Sequence, residues 1–399
     1  MKILMVNKFL YPNGGSETYI FKLGEELARK GHEVQYFGME HERRIVGNRA
    51  ESYTSNMDFH TGKLSKLLYP FKIIYSVEAR RKIRQVLEDF KPDAVHLNNF
   101  NFQLTPSIIY EIRAYEKKVG KKIRILYTAH DYQWVCPNHM MLIPSSGERC
   151  YACAGGKFFA CSKNKCIHNS GIKSLLGSVE GYVYKLFKTY GKVDVIICPS
   201  EFLRKQLAVN PLLADKCITM HNFIEKQGEM PKERDYVLYF GRYTKEKGVA
   251  TLLEACRRLP EIPFVFAGGG DLEKEVRAVD NVENRGFLTG DKLKETIRGA
   301  RLCIFPSEWY ENCPFSVMEA QTYGVPVLAA EIGGAPELIR VGETGELFTA
   351  GNVEELTGKI QELFHDTEKL QRYTEQCATL DFDTLEEYVE KLCKLYVGV

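Results

Sequence analysis

The sequence predicts an α/β protein of two Rossmann-like, doubly wound domains in succession. Three observations carry this expectation. The chain has 399 residues, more than one hydrophobic core ordinarily supports. Short apolar runs that read as strands alternate with longer helical stretches, the pattern of a parallel sheet covered on both faces. The pattern stops once, near residue 220, and then begins again.

Taken in order, the first strand is KILMVN (residues 2–7). A glycine loop, PNGGSE, a helical stretch, TYIFKLGEELARKG, and a second strand, EVQYFG, follow. DAVHLNN, IRILYTAHD and VDVIICPSE continue the strand series. The polar stretch Thr219 to Glu233, which contains Pro231, reads as the linker, so domains 1–220 and 221–399 are expected. The second domain restarts with YVLYFGR, PFVFAGGG, RLCIFPSE and PVLAAE, and a terminal helical stretch from about Asp383 to Leu395 is free to pack back on the first domain. Two such domains would face each other across a deep cleft at the carboxyl ends of their strands.

Composition narrows the function. The chain is 44% apolar and 27% charged, with net charge +2, which gives no general case for nucleic acid as a partner. MKILMVNKFLYP is too short an apolar run for a signal peptide, and no stretch approaches the roughly 20 apolar residues of a spanning helix. A cytoplasmic protein is expected, with its 12 cysteines reduced rather than paired.

The chemistry concentrates in PSEWYENCPFSVMEAQTYGVPVLA. Glu311 falls in the loop after a buried strand. Pro314, with no N–H and a fixed φ, suits the first position of a helix that runs to Gly324. Glu319 then sits in the second helical turn. The free amides of Phe315, Ser316 and Val317 would form an anion site between the two carboxylates. A carboxylate on each side of a phosphate site fits a ligand with hydroxyls at both ends, as in a sugar nucleotide. In FGRYTKEKG, Arg242 and Lys247 share one strand-end loop. Beside an anion site these cations fit a diphosphate, which arginine clamps bidentately and lysine meets as a point charge.

Three weaker features accompany it. GGSE places Gly14 and Gly15 at a helix start, either as an ordinary turn capped by Ser16 or as bare backbone close to a ligand. His130 in TAHD stands at a strand's carboxyl end, where a lone histidine is more often a structural hydrogen-bond partner. FAGGGD, with Gly270, fails the dinucleotide fingerprint because Glu273 occupies the third glycine position; it reads as a close-approach turn, and a nicotinamide-dependent oxidoreductase is excluded.

In this order GGSE, TAHD, HNFI, GRYTKEKG, GGG, the two-glutamate element and GGAPELI resemble family 4 retaining glycosyltransferases of the GT-B fold, over nearly the whole chain. The two-glutamate element carries most of the specificity. The resemblance implies that Glu319 hydrogen-bonds the ribose of the nucleotide-diphosphate sugar donor. It implies that Glu311 and the backbone around Asn312 and Cys313 hold the transferred sugar. Arg242 and Lys247 would neutralise the diphosphate, His130 would lie near the sugar, and Gly15 would approach the phosphate. Many members have Gly-Phe-Gly where this chain has Asn312-Cys313-Pro314, so the donor's identity does not carry over.

Such a site stabilises the leaving diphosphate with fixed cations and helix amides, so no cofactor is expected for catalysis. The family implies retention of anomeric configuration, with transfer to a glycan or lipid-linked acceptor. A sugar-nucleotide epimerase on the same fold, and a non-catalytic carbohydrate-binding protein, are the competing readings; the intact Arg242, Lys247, Glu311 and Glu319 set weighs against the second.

Two further stretches stand out. Lys63 to Leu87 carries seven basic residues against one acidic, and Gly171 to Lys192 carries Lys173, Lys185, Lys188 and Lys192 against Glu180. Interleaved with large apolar residues, they fit peripheral contact with an anionic membrane. Five cysteines lie within Cys136 to Cys166. Cys150, Cys153, Cys161 and Cys166 have the compact spacing of a structural zinc site, with Cys136, His139 and His168 as substitutes, and would staple an insertion at about residues 136–168.

Overall fold

The computed structural model describes residues 1–56, 69–225 and 234–398. Part of the candidate linker (226–233) and part of the first basic stretch (63–68) lie outside the described residues. The chain divides into two units, the first formed by Met1–Pro199, Leu203–Met220 and Leu385–Val399, the second by Ser200–Phe202 and His221–Thr384.

The first unit holds β1 (Lys2–Val6), β2 (Glu33–Phe37), β3 (Ala94–Leu97), β4 (Arg124–Thr128), β5 (Val195–Cys198) and β6 (Cys217–Thr219). They form one sheet in the order β2-β1-β3-β4-β5-β6, and every pairing is parallel. β3 and β5 are buried at every position, which is why they read as unbroken apolar runs.

The second unit holds β7 (Tyr236–Arg242), β8 (Phe264–Gly269), β9 (Val282–Gly286), β10 (Ala300–Phe305), β11 (Val327–Ala330) and β12 (Gly345–Phe348). Their order is β12-β11-β10-β7-β8-β9, again parallel throughout. The strand order reverses between β1 and β3 in the first sheet and between β7 and β10 in the second. At such a reversal the connecting segments leave in opposite directions and open a crevice beyond the strands' carboxyl ends.

The last helix, Leu385–Val397, belongs to the first unit. The Tyr388 hydroxyl meets that of Tyr19 at 2.8 Å, and the Tyr396 hydroxyl meets Nδ1 of the fully buried His96 at 2.7 Å. Nε2 of His96 in turn meets Oγ1 of Thr128 at 2.7 Å, so each of these buried polar groups has a partner.

Between β4 and β5 the chain makes the cysteine-rich excursion. Trp134 anchors its start, stacked between the rings of Tyr127 and Tyr190 at 4.0 and 4.1 Å. The surroundings of the cysteines are less polar than their sequence implies. Cys153, Cys161 and Cys166 form a small buried cluster with Phe158, so part of this segment folds by burial. The excursion rests on the helix Gly171–Leu186. A Cβ at Gly177 would stand 2.5 Å from Ile167, and one at Gly181 2.7 Å from Phe158.

Candidate functional site

At the second unit's strand reversal, the loops after β7 and β10 meet. The backbone brings them close because Gly248, in the left-handed region at φ +70°, has no side chain. A Cβ there would stand 1.8 Å from the carbonyl oxygen of Pro306. Lys247, one residue earlier, thereby reaches the loop after β10 and forms an ion pair with Oε1 of Glu311. The same oxygen accepts from Trp309 Nε1 at 2.5 Å and from Ser307 Oγ at 3.4 Å. The ammonium of Lys247 also lies 5.3 Å from the centre of the Trp309 ring, within cation–π range. Three donors on one oxygen hold the carboxylate in a fixed orientation, and Oε2 is not engaged by any of them.

Arg242 ends β7 with its side chain exposed, and no ion pair of it is found among the described residues. Its backbone is tied down instead, the carbonyl accepting from the Tyr239 hydroxyl at 2.7 Å. Arg242 and Lys247 therefore share one loop, as the sequence implies, but only Lys247 engages Glu311.

The helix after the loop is Phe315–Thr322, with Pro314 as its N-cap in an extended conformation at ψ 118°. Two details differ from the sequence reading. Pro314 precedes the first helical residue, and the amide of Val317 already donates to the Pro314 carbonyl at 3.2 Å. The leading amides are therefore those of Phe315 and Ser316, while the Val317 side chain is fully buried in the core. Glu319 sits in the second turn, half-buried.

Cys313 is also a core residue. Its sulfur accepts from the Asn222 amide at 3.3 Å and its carbonyl from Asn222 Nδ2 at 3.0 Å, leaving Asn312 as the half-buried residue of that pair. Gly270, at φ +151°, is required by the protein itself: a Cβ would meet the backbone of Tyr243 at 2.7 and 2.9 Å. The close approach expected of this turn is thus made to its own chain.

In the first unit, His130 follows β4. Its Nε2 lies 2.9 Å from Oδ1 of Asn98, and the Tyr19 ring stands edge-on at 5.0 Å. Burial lowers its pKa to about 4, so the ring is neutral near pH 7. Gly14 is the N-cap of the helix Gly15–Arg29, with no side-chain cap. Ser16 is not the cap: its hydroxyl accepts from Asn99 Nδ2 at 2.9 Å. Asn7 Nδ2 donates to Oε1 of the buried Glu17 at 3.0 Å, and Asn7 Oδ1 accepts from the Asn99 amide at 3.0 Å. A Cβ on Gly15 would touch nothing within 4 Å, so the fold does not require glycine there.

The sequence reading missed Trp309, Ser307, Asn98, Asn99 and the pair Gly333-Gly334. Trp309 is one of two tryptophans in the chain and stands between the strand end and Glu311. Asn98-Asn99 is a polar pair at the end of a buried strand. Both are the signals that mark a strand-end site. The triplet Asp381-Phe382-Asp383 has the spacing of an acidic metal element. It lies between the helices Thr367–Cys377 and Leu385–Val397 rather than at a strand end.

All five cysteines of the excursion line one cavity of about 10 Å³, close to a single water-sized sphere. His139 instead faces Asp131, Nδ1 to Oδ2 at 3.0 Å, and His168 is exposed; neither lines the cavity. Burial pushes the Cys136 thiol up to about 11 and that of Cys153 to about 12. Among the described residues, no three His, Cys, Asp or Glu side chains are arranged as they stand to hold a metal ion.

Two parallel six-stranded sheets with flanking helices, each with polar strand-end loops at its reversal, are the architecture of the GT-B glycosyltransferases. Residues 13–227 match the model of Glycosyltransferase Family 4, and residues 220–379 match that of glycosyl transferases group 1. The chain belongs to Glycosyltransferase Family 4. It is 25% identical over 363 residues to the "Uncharacterized 42.6 kDa protein in cps region" of Klebsiella pneumoniae, covering 86% of this chain and 88% of that one. It is 26% identical over 217 residues to the putative colanic acid biosynthesis glycosyltransferase WcaL of Salmonella typhimurium, covering 50% of this chain and 48% of that one. Among solved structures, Anabaena Alr3699/HepE in complex with UDP superimposes with a TM-score of 0.68 at 16% identity, over the whole of both chains.

Proposed function

We propose that this glycosyltransferase moves a sugar from a nucleotide-diphosphate donor to a glycan or lipid-linked acceptor in cell-surface polysaccharide synthesis, with retention of configuration and without a catalytic metal. The observation that carries the reading is the Lys247–Glu311 pair at the strand reversal, beside Arg242 and the leading amides of Phe315 and Ser316. Lys247 and Arg242 take the charge that builds on the diphosphate as the glycosidic bond breaks. Their position is set before reaction, which is what makes such a charge donor effective. Glu311, oriented through Oε1, keeps Oε2 for a sugar hydroxyl, and Glu319 takes the ribose. Asn312 and the Cys313 backbone line the sugar's side, and Gly270 borders the nucleotide. His130, neutral, offers a hydrogen bond to the sugar, and the open space at Gly15, next to Gly14, leaves room for phosphate.

The names of the relatives support a polysaccharide setting, and the neighbour's bound UDP supports a nucleotide donor. A melting-temperature panel of UDP, GDP, ADP and their sugars identifies the donor, since a ligand of the folded state raises the melting temperature. Proton NMR of the new linkage then reads its configuration, and turnover in EDTA reads the need for metal. An inverted anomer, or activity lost in EDTA and restored by a divalent cation, rejects the corresponding part.

We also read the cysteine cavity as the site of a structural zinc ion held by Cys150, Cys153, Cys161 and Cys166, with Cys136 as the one substitute that lines the cavity. Side-chain rotation must bring the sulfurs to a common centre. Binding zinc would remove the thiol protons and supply the positive charge that a cluster of buried thiolates needs.

A further inference from the structure

The helix Gly171–Leu186 is built inside out. Its buried face carries Ser174, Gly177, Ser178, Glu180 and Tyr184. Its solvent face carries Ile172, Leu175, Val179, Tyr182 and Leu186, all exposed, with Ile172 at 77% and Leu186 at 76%. The spacing of three or four residues gathers these five into an arc of about 80° at 100° per residue, opposite the buried face. Phe187 extends the stripe at 61% exposure. Phe159 adds to it from the cysteine-rich excursion at 62% exposure, its amide donating to the Tyr182 hydroxyl at 3.3 Å. Of the large apolar side chains exposed among the described residues, nearly half fall between Tyr151 and Phe187. A soluble protein rarely leaves so continuous a patch uncovered.

The stretch of chain that carries this patch is charged with one sign. From Arg149 to Lys192 the chain has eight basic residues and a single carboxylate, Glu180, and Glu180 is buried on the opposite face. At the chain's average of 52 acidic residues in 399, a stretch this long would hold about six. Lys157, Lys163, Lys165, Lys173, Lys188 and Lys192 are all exposed.

We infer that this face docks on an anionic lipid bilayer, the apolar stripe lying among the acyl chains and the lysines reaching the headgroups. A protein partner would match a stripe of aliphatic side chains equally well. The exposed lysines of this stretch, with no exposed carboxylate between Arg149 and Lys192, are what a bilayer of negative headgroups complements. Long lysine side chains lie along an apolar surface and still place their charge in the headgroup layer. The underside of the helix is locked, since Ser178 Oγ donates to the Phe158 carbonyl at 2.7 Å and the Ile167 amide to Ser174 Oγ at 2.9 Å. The stripe is therefore presented by a rigid support. This inference is independent of the donor and acceptor reading, because no residue in it belongs to the sugar-nucleotide site.

Vesicle sedimentation of the full chain tests it, using vesicles of phosphatidylcholine alone and of phosphatidylcholine mixed with phosphatidylglycerol. Binding to the anionic vesicles should be at least about tenfold tighter, and should weaken as salt is raised. Ile172→Asp with Leu186→Asp should lower it about tenfold or more, and Lys173→Glu with Lys188→Glu likewise. All four positions are exposed, so both variants should keep the wild-type melting temperature. Wild-type protein that stays in the supernatant with both vesicles overturns the inference, as do folded variants that bind like wild type. A concentration-dependent dimer that Leu186→Asp abolishes, without vesicle binding, assigns the stripe to a second copy of the chain and overturns it too.

Discussion

The amide of Gly334 donates to the carbonyl of Glu311 at 2.7 Å, which ties the loop after β11 to the loop after β10. Gly333 completes the contact at φ +62°, where a Cβ would stand 2.4 Å from the same carbonyl oxygen. Neither glycine touches a Glu311 side-chain donor, yet together they set where that residue's backbone lies.

Gly334→Ala would place its Cβ 1.8 Å from the Asn312 carbonyl oxygen, so backbone must move, at ~1–3 kcal/mol. The melting temperature should fall by several degrees, and kcat/KM should fall at least tenfold. Gly15→Ala is the counterpart. With open space around its Cβ it should leave the melting temperature unchanged and still lower kcat/KM, because only a ligand would meet the new methyl. Equal activity of Gly15→Ala and wild type would move the donor phosphate away from this loop.

Lys247→Ala and Arg242→Ala should each lower kcat/KM by ~2–4 kcal/mol, the scale of one preorganised charge donor. Trp309→Phe removes one of three donors to Glu311 Oε1 and should cost less, about 1 kcal/mol. Steady-state kinetics on the identified donor checks the ranking. Wild-type rates in both cation variants would place the diphosphate elsewhere.

Stability should respond to pH through two fully buried groups of the first unit. Burial lowers the pKa of His96 to about 3, so between about pH 3 and 6.5 the unfolded chain binds a proton there that the folded chain does not. Folding stability due to His96 is therefore lost as pH falls through that window, at up to ~1.4 kcal/mol per pH unit. Glu180 acts in the opposite sense. Burial raises its pKa to about 8, so its contribution is lost as pH rises from about 4.5 to 8. Urea unfolding from pH 5 to 8 should show Glu180→Gln gaining on wild type as pH rises. A constant difference between the two would contradict a buried, protonated Glu180.

Protein purified without chelator should carry about one zinc per chain by metal analysis. Cys150→Ser should release it and expose the excursion to protease, while UDP still raises the melting temperature through the second unit. Absence of zinc together with unchanged protease resistance in Cys150→Ser would discard the staple.

The parts legible in the sequence are those where one face or both are buried. β3, β5, β10 and β11 announce themselves as apolar runs, and Glu311 and Glu319 are placed by the strand and helix on either side. β6, β9 and β12 are short sheet-edge strands of mixed composition, CIT, VENRG and GELF. Pairing on one side holds them, a contribution that periodicity does not register. The free amides were over-counted by one because a tight first turn uses that of Val317. Of the two readings of GGSE, the Ser16 cap fails because that hydroxyl's partner, Asn99, lies 83 positions away. Distances of that kind are invisible to any local reading.

The helix Leu385–Val397 has a consequence for how the molecule is made. Tyr388 and Tyr396 reach the interior of the first unit, but the ribosome delivers them only after the whole second unit has been synthesised. Until then Tyr19 and His96 lack two of their hydroxyl partners, and the nascent first unit waits with an open flank. Vectorial synthesis therefore lets the later half complete its core before the earlier half does, and any mutation that slows the second unit prolongs the first unit's exposure to chaperones and proteases.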